Sequence, residues 1–256
     1  MGVSFGNITL HCEKIVPSTV SRDNVVMIFI HEALGSIGQW KSFPKKLCEV
    51  TGLKGIVYER QGHGRSSEFN EPRKADYLHR YALKELPDFL DQVLEKNQRV
   101  VLVGHSDGGT IALLYASQFP ERIEAVITMA AHVINEPETI AGIEPAVQAY
   151  KAGKLDGLRK YHGDKTETLF YAWADTWRSQ SFRHWNICNE LFSEIPNYLC
   201  IQGADDQYGT EEQLKLIRAA IPQAETIMLE ECGHHPHLEQ MEKVCRLIID
   251  HLSYLE

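Results

Sequence analysis

The chain has no excess of basic residues, no closely spaced cysteine pair and no apolar run of membrane-spanning length. Each absence removes a class of function. Aspartate and glutamate number 35 against 26 lysines and arginines, giving a net charge of −9 at pH 7. Such a balance repels polyanions, so neither nucleic acid nor an anionic membrane is expected as a partner. Cys12, Cys48, Cys188, Cys200, Cys232 and Cys245 are scattered without a C-x-x-C pair, which points to reduced, mostly buried thiols rather than a zinc knuckle or disulfide framework. No stretch reaches the ~20 apolar residues of a membrane span. The opening residues lack the basic region and apolar core of a secretory signal, and Gly6 stands where N-myristoylation wants Ser or Thr. A cytoplasmic protein acting on a small molecule, with no metal and no other cofactor, is the expectation.

What is present is an alternation of strand and helix patterns. A weakly alternating hairpin is predicted over residues 3–16, at the antiparallel edge of a larger sheet. Buried strands are predicted at Asn24–His31, Gly55–Arg60, Arg99–Gly104 and Glu124–Ala130, separated by helical patterns at Ile37–Val50, Asp76–Leu94 and from Asp107 onward. Strands joined by helical crossovers are parallel, and the crossovers are right-handed. From about His132 to Phe192 the strand rhythm stops and helical periodicity takes over, with Ile143, Val147 and Tyr150 on one face and Phe170, Trp173 and Trp177 on another. The alternation resumes with a strand at Tyr198–Gln202, a helix over Glu211–Ala220, a strand at Thr226–Leu229 and a terminal helix from His237. The chain therefore divides into an α/β core, residues 1–132 and 193–256, and an inserted helical cap, residues 133–192.

The chemistry centres on Gly104-His105-Ser106-Asp107-Gly108-Gly109, where a strand breaks sharply into a helix. Glycines on both sides of the serine remove the Cβ atoms that would collide in so tight a turn, and the serine can then present its hydroxyl from a strained backbone. The glycine spacing is not that of a dinucleotide fingerprint, and no phosphate-loop lysine follows. A serine hydroxyl becomes a nucleophile only when a base takes its proton, so a histidine and an orienting carboxylate are required. Two late strands supply them, one ending in Gly203-Ala204-Asp205-Asp206 and the other leading to Gly233-His234-His235-Pro236-His237. A metal reading of the histidines fails for want of a separated third ligand group.

Taken together, the apolar strand ending in His31, the run Tyr58-x-Arg60-x-Gly62-x-Gly64-x-Ser66, the serine turn, Gly203-x-x-Asp206 and Gly233-His234 resemble the α/β-hydrolase superfamily over nearly the whole chain. That resemblance implies a triad of Ser106, Asp206 and His234, with the backbone N–H groups of Ala33 and Asp107 as an oxyanion hole. In His31-Glu32-Ala33-Leu34-Gly35 a glutamate replaces the family's usual glycine, and its carboxylate points either toward the site or into solvent. Arg60, His63 and Arg65 are expected to hold the neighbouring loop, and His105 to pack beneath the turn. Ser106-Asp107-Gly108-Gly109, with Asn186-Ile187-Cys188, is also similar to valacyclovir hydrolase-like enzymes, in which the acidic residue after the nucleophile receives a substrate ammonium. Alternatively, Asp107 caps its own helix. Glu32, Trp40, Tyr150, Trp173 and Trp177 are candidates for contact with substrate, although a helical aromatic stripe can equally dock the cap on the core.

The expected activity is hydrolysis of a small carboxylic ester through an acyl-enzyme. Thioesterase, lactonase and C–C hydrolase chemistry are open to the same triad, as is a ligand-sensing scaffold without turnover. Epoxide hydrolase and haloalkane dehalogenase activity are not expected, since those relatives need a carboxylate where Ser106 stands.

Overall fold

The computed structural model describes residues 1–253. Eight strands form one sheet: β1 (Gly2–Phe5), β2 (Ile8–Ile15), β3 (Val25–Ile30), β4 (Lys54–Tyr58), β5 (Arg99–His105), β6 (Ile123–Met129), β7 (Tyr198–Gly203) and β8 (Glu225–Leu229). Their order is β1-β2-β4-β3-β5-β6-β7-β8. The N-terminal hairpin joins antiparallel to β4, and every later pairing is parallel. The expected α/β architecture and its antiparallel edge are both present.

The sheet is covered on two faces, and the pleat decides which side chain serves which. In β3, Val26, Ile28 and Ile30 enter one core, and Val25, Met27 and Phe29 enter the other. Both faces of the strand are therefore apolar, which is why its sequence reads as a continuous hydrophobic run. Helices α1 (Phe43–Thr51) and α10 (Met241–Leu252) cover the second core. The first core is covered by α2 (Tyr77–Arg80), α3 (Leu86–Val93), α4 (Asp107–Gln118) and α8 (Glu211–Ala220).

Between β6 and β7 lie α5 (Pro137–Lys151), α6 (Arg159–His162) and α7 (Thr166–Arg178). An isolated bridge between Ile134 and Asn186 ties the two ends of this helical segment together. A short α9 (Pro236–Glu239) precedes α10.

Two predicted helices are broken. The pattern over Ile37–Val50 resolves into a 3-10 turn at Ile37–Trp40 and then α1, with Lys41 at φ +55° between them. Pro44 explains the break: it has no N–H to donate backward and suits the first turn of a new helix. The terminal pattern likewise divides at Gln240 (φ −130°). All six cysteines are free, and only Cys188 among them is not buried.

A π-helical turn, Tyr81–Glu85, links α2 to α3 and buries the carboxyl of Glu85. One oxygen accepts the Gln61 N–H at 2.9 Å, yet burial pushes its pKa up to about 8 from 4.5. The folded state thus holds a proton that the unfolded chain releases. Stability is least affected below the unfolded value and declines as pH rises from about 4.5 toward 8. Glu85→Gln mimics the protonated form, and any cost of burying its amide is the same at every pH. We expect the melting temperature of the variant to gain on the wild type by several degrees between pH 5 and pH 8. A constant difference across that range would refute the assignment.

Candidate active site

Strand β5 occupies the middle of the sheet, between β3 and β6, and the turn into α4 projects from its C-terminal end. Ser106 sits there at φ +52° and ψ −117° and is 7% exposed. A non-glycine residue with positive φ is strained, and such strain persists only where surroundings enforce it. Here the enforcement is contact between backbones. A Cβ on Gly108 would lie 1.9 Å from the carbonyl oxygen of Ile30, and one on Gly104 would lie 2.3 Å from that of Gly108. The Ser106 N–H donates to the Met129 carbonyl at 2.9 Å, which anchors the turn to β6.

The loops after β7 and β8 bring the carboxylate and imidazole together. Nδ1 of His234 lies 2.9 and 2.8 Å from the two carboxylate oxygens of Asp206. The Asp206 side chain has no solvent-accessible surface. It also accepts from Gln202 Nε2 at 2.7 Å and from the Tyr208 N–H at 2.8 Å. Burial opposes its ionisation, but the positive charge and hydrogen bond of His234 and the Tyr208 N–H prevail, so its pKa lies below the ordinary carboxylate range. With Nδ1 engaged, Nε2 is the ring nitrogen left for a partner in the cavity. Asp205 is exposed and only its N–H is engaged, by the Cys232 carbonyl. Beneath the histidine, His105 Nε2 donates to the His234 carbonyl at 2.7 Å.

The loop after β3 faces the serine turn. Arg60 is fully buried, and its Nη2 donates to the carbonyls of His31 (3.1 Å) and Glu32 (2.7 Å). The Arg60 N–H donates to His31 Nε2 at 3.1 Å, while His31 Nδ1 donates to the Glu32 carbonyl at 2.8 Å. His63 Nε2 lies 3.0 Å from the Ala33 carbonyl. Arg65, by contrast, is exposed and pairs with Glu13 at 3.0 Å. With its carbonyls held this way, the loop leaves the Ala33 N–H without an acceptor among the described residues, and the Asp107 N–H has none either. Glu32 turns toward the site, where its carboxylate accepts the Leu34 N–H at 2.5 Å. Burial raises its pKa against the opposing effect of that hydrogen bond.

Asp107 does not cap its own helix: no side-chain bond closes the α4 terminus. Its carboxylate instead accepts the Tyr77 hydroxyl at 2.9 and 3.0 Å and lies 3.7 Å from Arg60 Nη1. Trp177 Nε1 donates to the same tyrosine oxygen at 2.7 Å. Burial, reinforced by the Asp107 charge, pushes the Tyr77 hydroxyl well above its ordinary pKa, so it remains a donor.

Ser106, His234, Ala33, Asp107, Glu32, Trp173 and Trp177 all line one cavity of about 660 Å³. Two of the aromatic candidates do not. The Tyr150 ring stacks on Phe170 at 4.0 Å, behind the wall that Phe170 forms. Trp40 lies in the second core, 5.8 Å from Phe29 and 4.7 Å from His237 between ring centres, and borders only a separate cavity of about 120 Å³. There it stacks on Phe43 of α1 at 5.9 Å, on the sheet rather than across the site.

Sequence reasoning missed His132 and Tyr208, which both face the cavity, and Tyr77, which holds Asp107. His132 Nε2 bonds to the Tyr208 carbonyl at 2.9 Å, and the Tyr208 ring centre lies 4.8 Å from that of His234. Only Tyr208, two residues beyond Asp206, carried a positional hint.

Residues 25–170 match the family model described as alpha/beta hydrolase fold. The chain belongs to that family. It is 22% identical to a proline iminopeptidase of Lactobacillus delbrueckii subsp. lactis over 97% of this chain and 96% of that one. It is 24% identical to 2-hydroxy-6-oxo-6-phenylhexa-2,4-dienoate hydrolase of Burkholderia cepacia, covering 89% and 87%. Its structure superposes on that of the enol-lactonase from Burkholderia xenovorans LB400 with a TM-score of 0.75, at 17% identity over 99% and 100% of the two chains. The class these likenesses support is a hydrolase.

The close approach at Gly108 yields a mutational expectation opposite to helix propensity. In an open helix Gly→Ala gains about 1 kcal/mol. Gly108→Ala should instead cost about 3 kcal/mol or more, because backbone rather than a movable side chain blocks the methyl group. Denaturant unfolding measures the difference, and a variant as stable as the wild type would contradict the geometry.

Proposed function

We propose that the protein is a serine hydrolase that cleaves a small, uncharged carboxylic ester. The carrying observation is the bidentate approach of Asp206 to His234 Nδ1, on the wall of the same cavity that Ser106 lines. Ser106 Oγ attacks the acyl carbonyl while His234 Nε2 takes its proton, and Asp206 stabilises the imidazolium that results. The negative charge on the carbonyl oxygen is met by the N–H groups of Ala33 and Asp107, a pair without other acceptors among the described residues. Donors of this kind are each worth about 3–4 kcal/mol of transition-state stabilisation. His234 then protonates the leaving alcohol, and water repeats the sequence on the acyl-enzyme.

Residues 133–192 act as a cap in this reading. Ile143, Phe170, Trp173 and Trp177 from that segment contribute apolar wall to the cavity, which suits an apolar acyl or alcohol group. Both carboxyl groups on the wall are already committed, Asp107 to Tyr77 and Arg60, and Glu32 to the Leu34 amide. An incoming ammonium meets one carboxylate that already faces Arg60 and, at Glu32, a carboxyl whose burial favours the neutral form, which disfavours the amino-ester class that the residue after the nucleophile suggests.

Two measurements test this. A fluorophosphonate should label Ser106 alone, and Ser106→Ala should lower ester turnover by at least about a thousandfold with the fold intact. Retained turnover in that variant excludes the mechanism, and failure of a folded protein to label favours a ligand-sensing scaffold. Across a panel of aryl esters, α-amino esters, lactones and thioesters, neutral aryl esters should exceed α-amino esters in kcat/KM by at least about tenfold. The reverse preference would show that Asp107 or Glu32 is free to receive a cation.

A further inference from the structure

The loop Glu68-Phe69-Asn70-Glu71-Pro72-Arg73 leads into α2 and places a guanidinium that the ester chemistry does not use. Nε, Nη1 and Nη2 of Arg73 are all buried; the Tyr81 hydroxyl interacts with the guanidinium, but no well-formed hydrogen bond and no carboxylate satisfies it among the described residues. Arginine normally satisfies its five donors on carboxylate, carbonyl or water, and a buried unpaired cation is costly. Three rings compensate in part. The guanidinium carbon lies 4.4 Å from the ring centre of Tyr77, 5.3 Å from Phe69 and 6.0 Å from Tyr81, within reach of cation–π attraction. That attraction acts on the face of the cation and leaves its in-plane N–H donors without a carboxylate.

All three rings, and Arg73 itself, line one cavity of about 190 Å³, separate from the one that holds Ser106. Its floor is apolar, with Phe5 and Ile8 from the N-terminal hairpin. Its charge is positive: Arg73, Lys74, Arg80 and Lys84 face it against Glu71 and Asp88. Glu71 is already paired with Lys74 at 3.1 Å and with Arg80 at 2.5 Å. The remaining carboxyl on the wall, Glu85, keeps its proton at neutral pH and adds no negative charge.

We infer that this cavity is a second ligand site, taking a small apolar carboxylate whose oxygens pair with the Arg73 guanidinium and whose body lies among Phe69, Tyr81 and the hairpin side chains. Arginine presents two parallel donors to a carboxylate, which is the geometry left unmet here. A volume of about 190 Å³ is roughly six times that of a liquid water, sufficient for a benzoate-sized molecule and small for a phospholipid or nucleotide. Tyr77 is shared with the active site, since its hydroxyl holds Asp107 while its ring carries Arg73.

Benzoate and its neutral isostere benzamide are the probes, titrated calorimetrically into the intact protein. Benzoate should bind and benzamide should not, and Arg73→Met should weaken benzoate by at least about tenfold. Lys84→Glu, which reverses a charge at the rim and leaves the buried cation in place, should weaken it as well and covers the case in which Arg73→Met fails to fold. Crystals soaked in 4-bromobenzoate should show anomalous bromine density beside Phe69 and Tyr81. Bromine density in the Ser106 cavity alone, equal binding of benzamide, or unchanged benzoate affinity in the folded variants would overturn the inference. None of these readouts depends on turnover at Ser106.

Discussion

The contact on which the site depends is between two main chains. The first turn of α4 is packed so closely on the end of β3 that the space a Gly108 Cβ would need is held by the Ile30 carbonyl. With helix and strand at that distance, the residue joining β5 to α4 cannot relax from its left-handed conformation, and that residue is Ser106. The same approach sets the loop after β3 against the helix N-terminus, where the first amides of a helix lack internal acceptors. One close contact therefore fixes the serine turn and brings Ala33 and Asp107 to the wall of the cavity that Ser106 lines. The strain at Ser106 is a property of packing between secondary structures, supported by a full apolar core on each face of the sheet.

A buried charge pair stabilises this arrangement from the side. Arg60 and Asp107 are both almost fully enclosed, and removing two ions from water is repaid only when other hydrogen bonds complete the network. Carbonyls of His31 and Glu32 on Nη2 and the hydroxyl of Tyr77 on the carboxylate do part of this, while Nε and Nη1 of Arg60 have no hydrogen-bond partner among the described residues. The end of β4, the loop after β3, the start of α2 and the head of α4 thus meet at one polar centre. Trp177 extends it into the helical segment through its bond to Tyr77. The helical segment is tied to the core by a directional polar contact as well as by apolar packing.

Much of this was legible in the residues because the strongest signals are local. A strand covered on both faces reads as an apolar run, as all of β3 and the middles of β5 and β6 do, and a strand-to-helix turn this tight must be flanked by glycine. The Asp206 and His234 pair was readable because each follows a late strand within a few residues. Contacts made by side chains from distant segments left no such trace. Nothing near Asp107 in sequence announces that Tyr77, thirty residues earlier, will take its carboxylate in place of the helix amides. Trp40 misled for a related reason: it packs with Phe43 and Leu47 into the second core, and nothing in the local sequence separates that core from the site. Tyr150 lies on the expected face, but Phe170 stands between it and the cavity.

In the proposed reaction the imidazoles around Ser106 are not equally able to serve as its base. Burial lowers the pKa of His105, His132 and His237, and takes His235 down to about 4. Charging any of these rings would place a cation in a low-dielectric setting without a carboxylate on its nitrogen, and each is further opposed by the neighbouring histidines. His234 alone among them has a carboxylate on its ring nitrogen. In the proposed reaction the proton leaving Ser106 therefore has one imidazole on which positive charge is compensated. The other four serve as neutral, polar packing, and their neutrality is what allows a base to function among them: a second cation beside His234 would repel the imidazolium at the moment it forms.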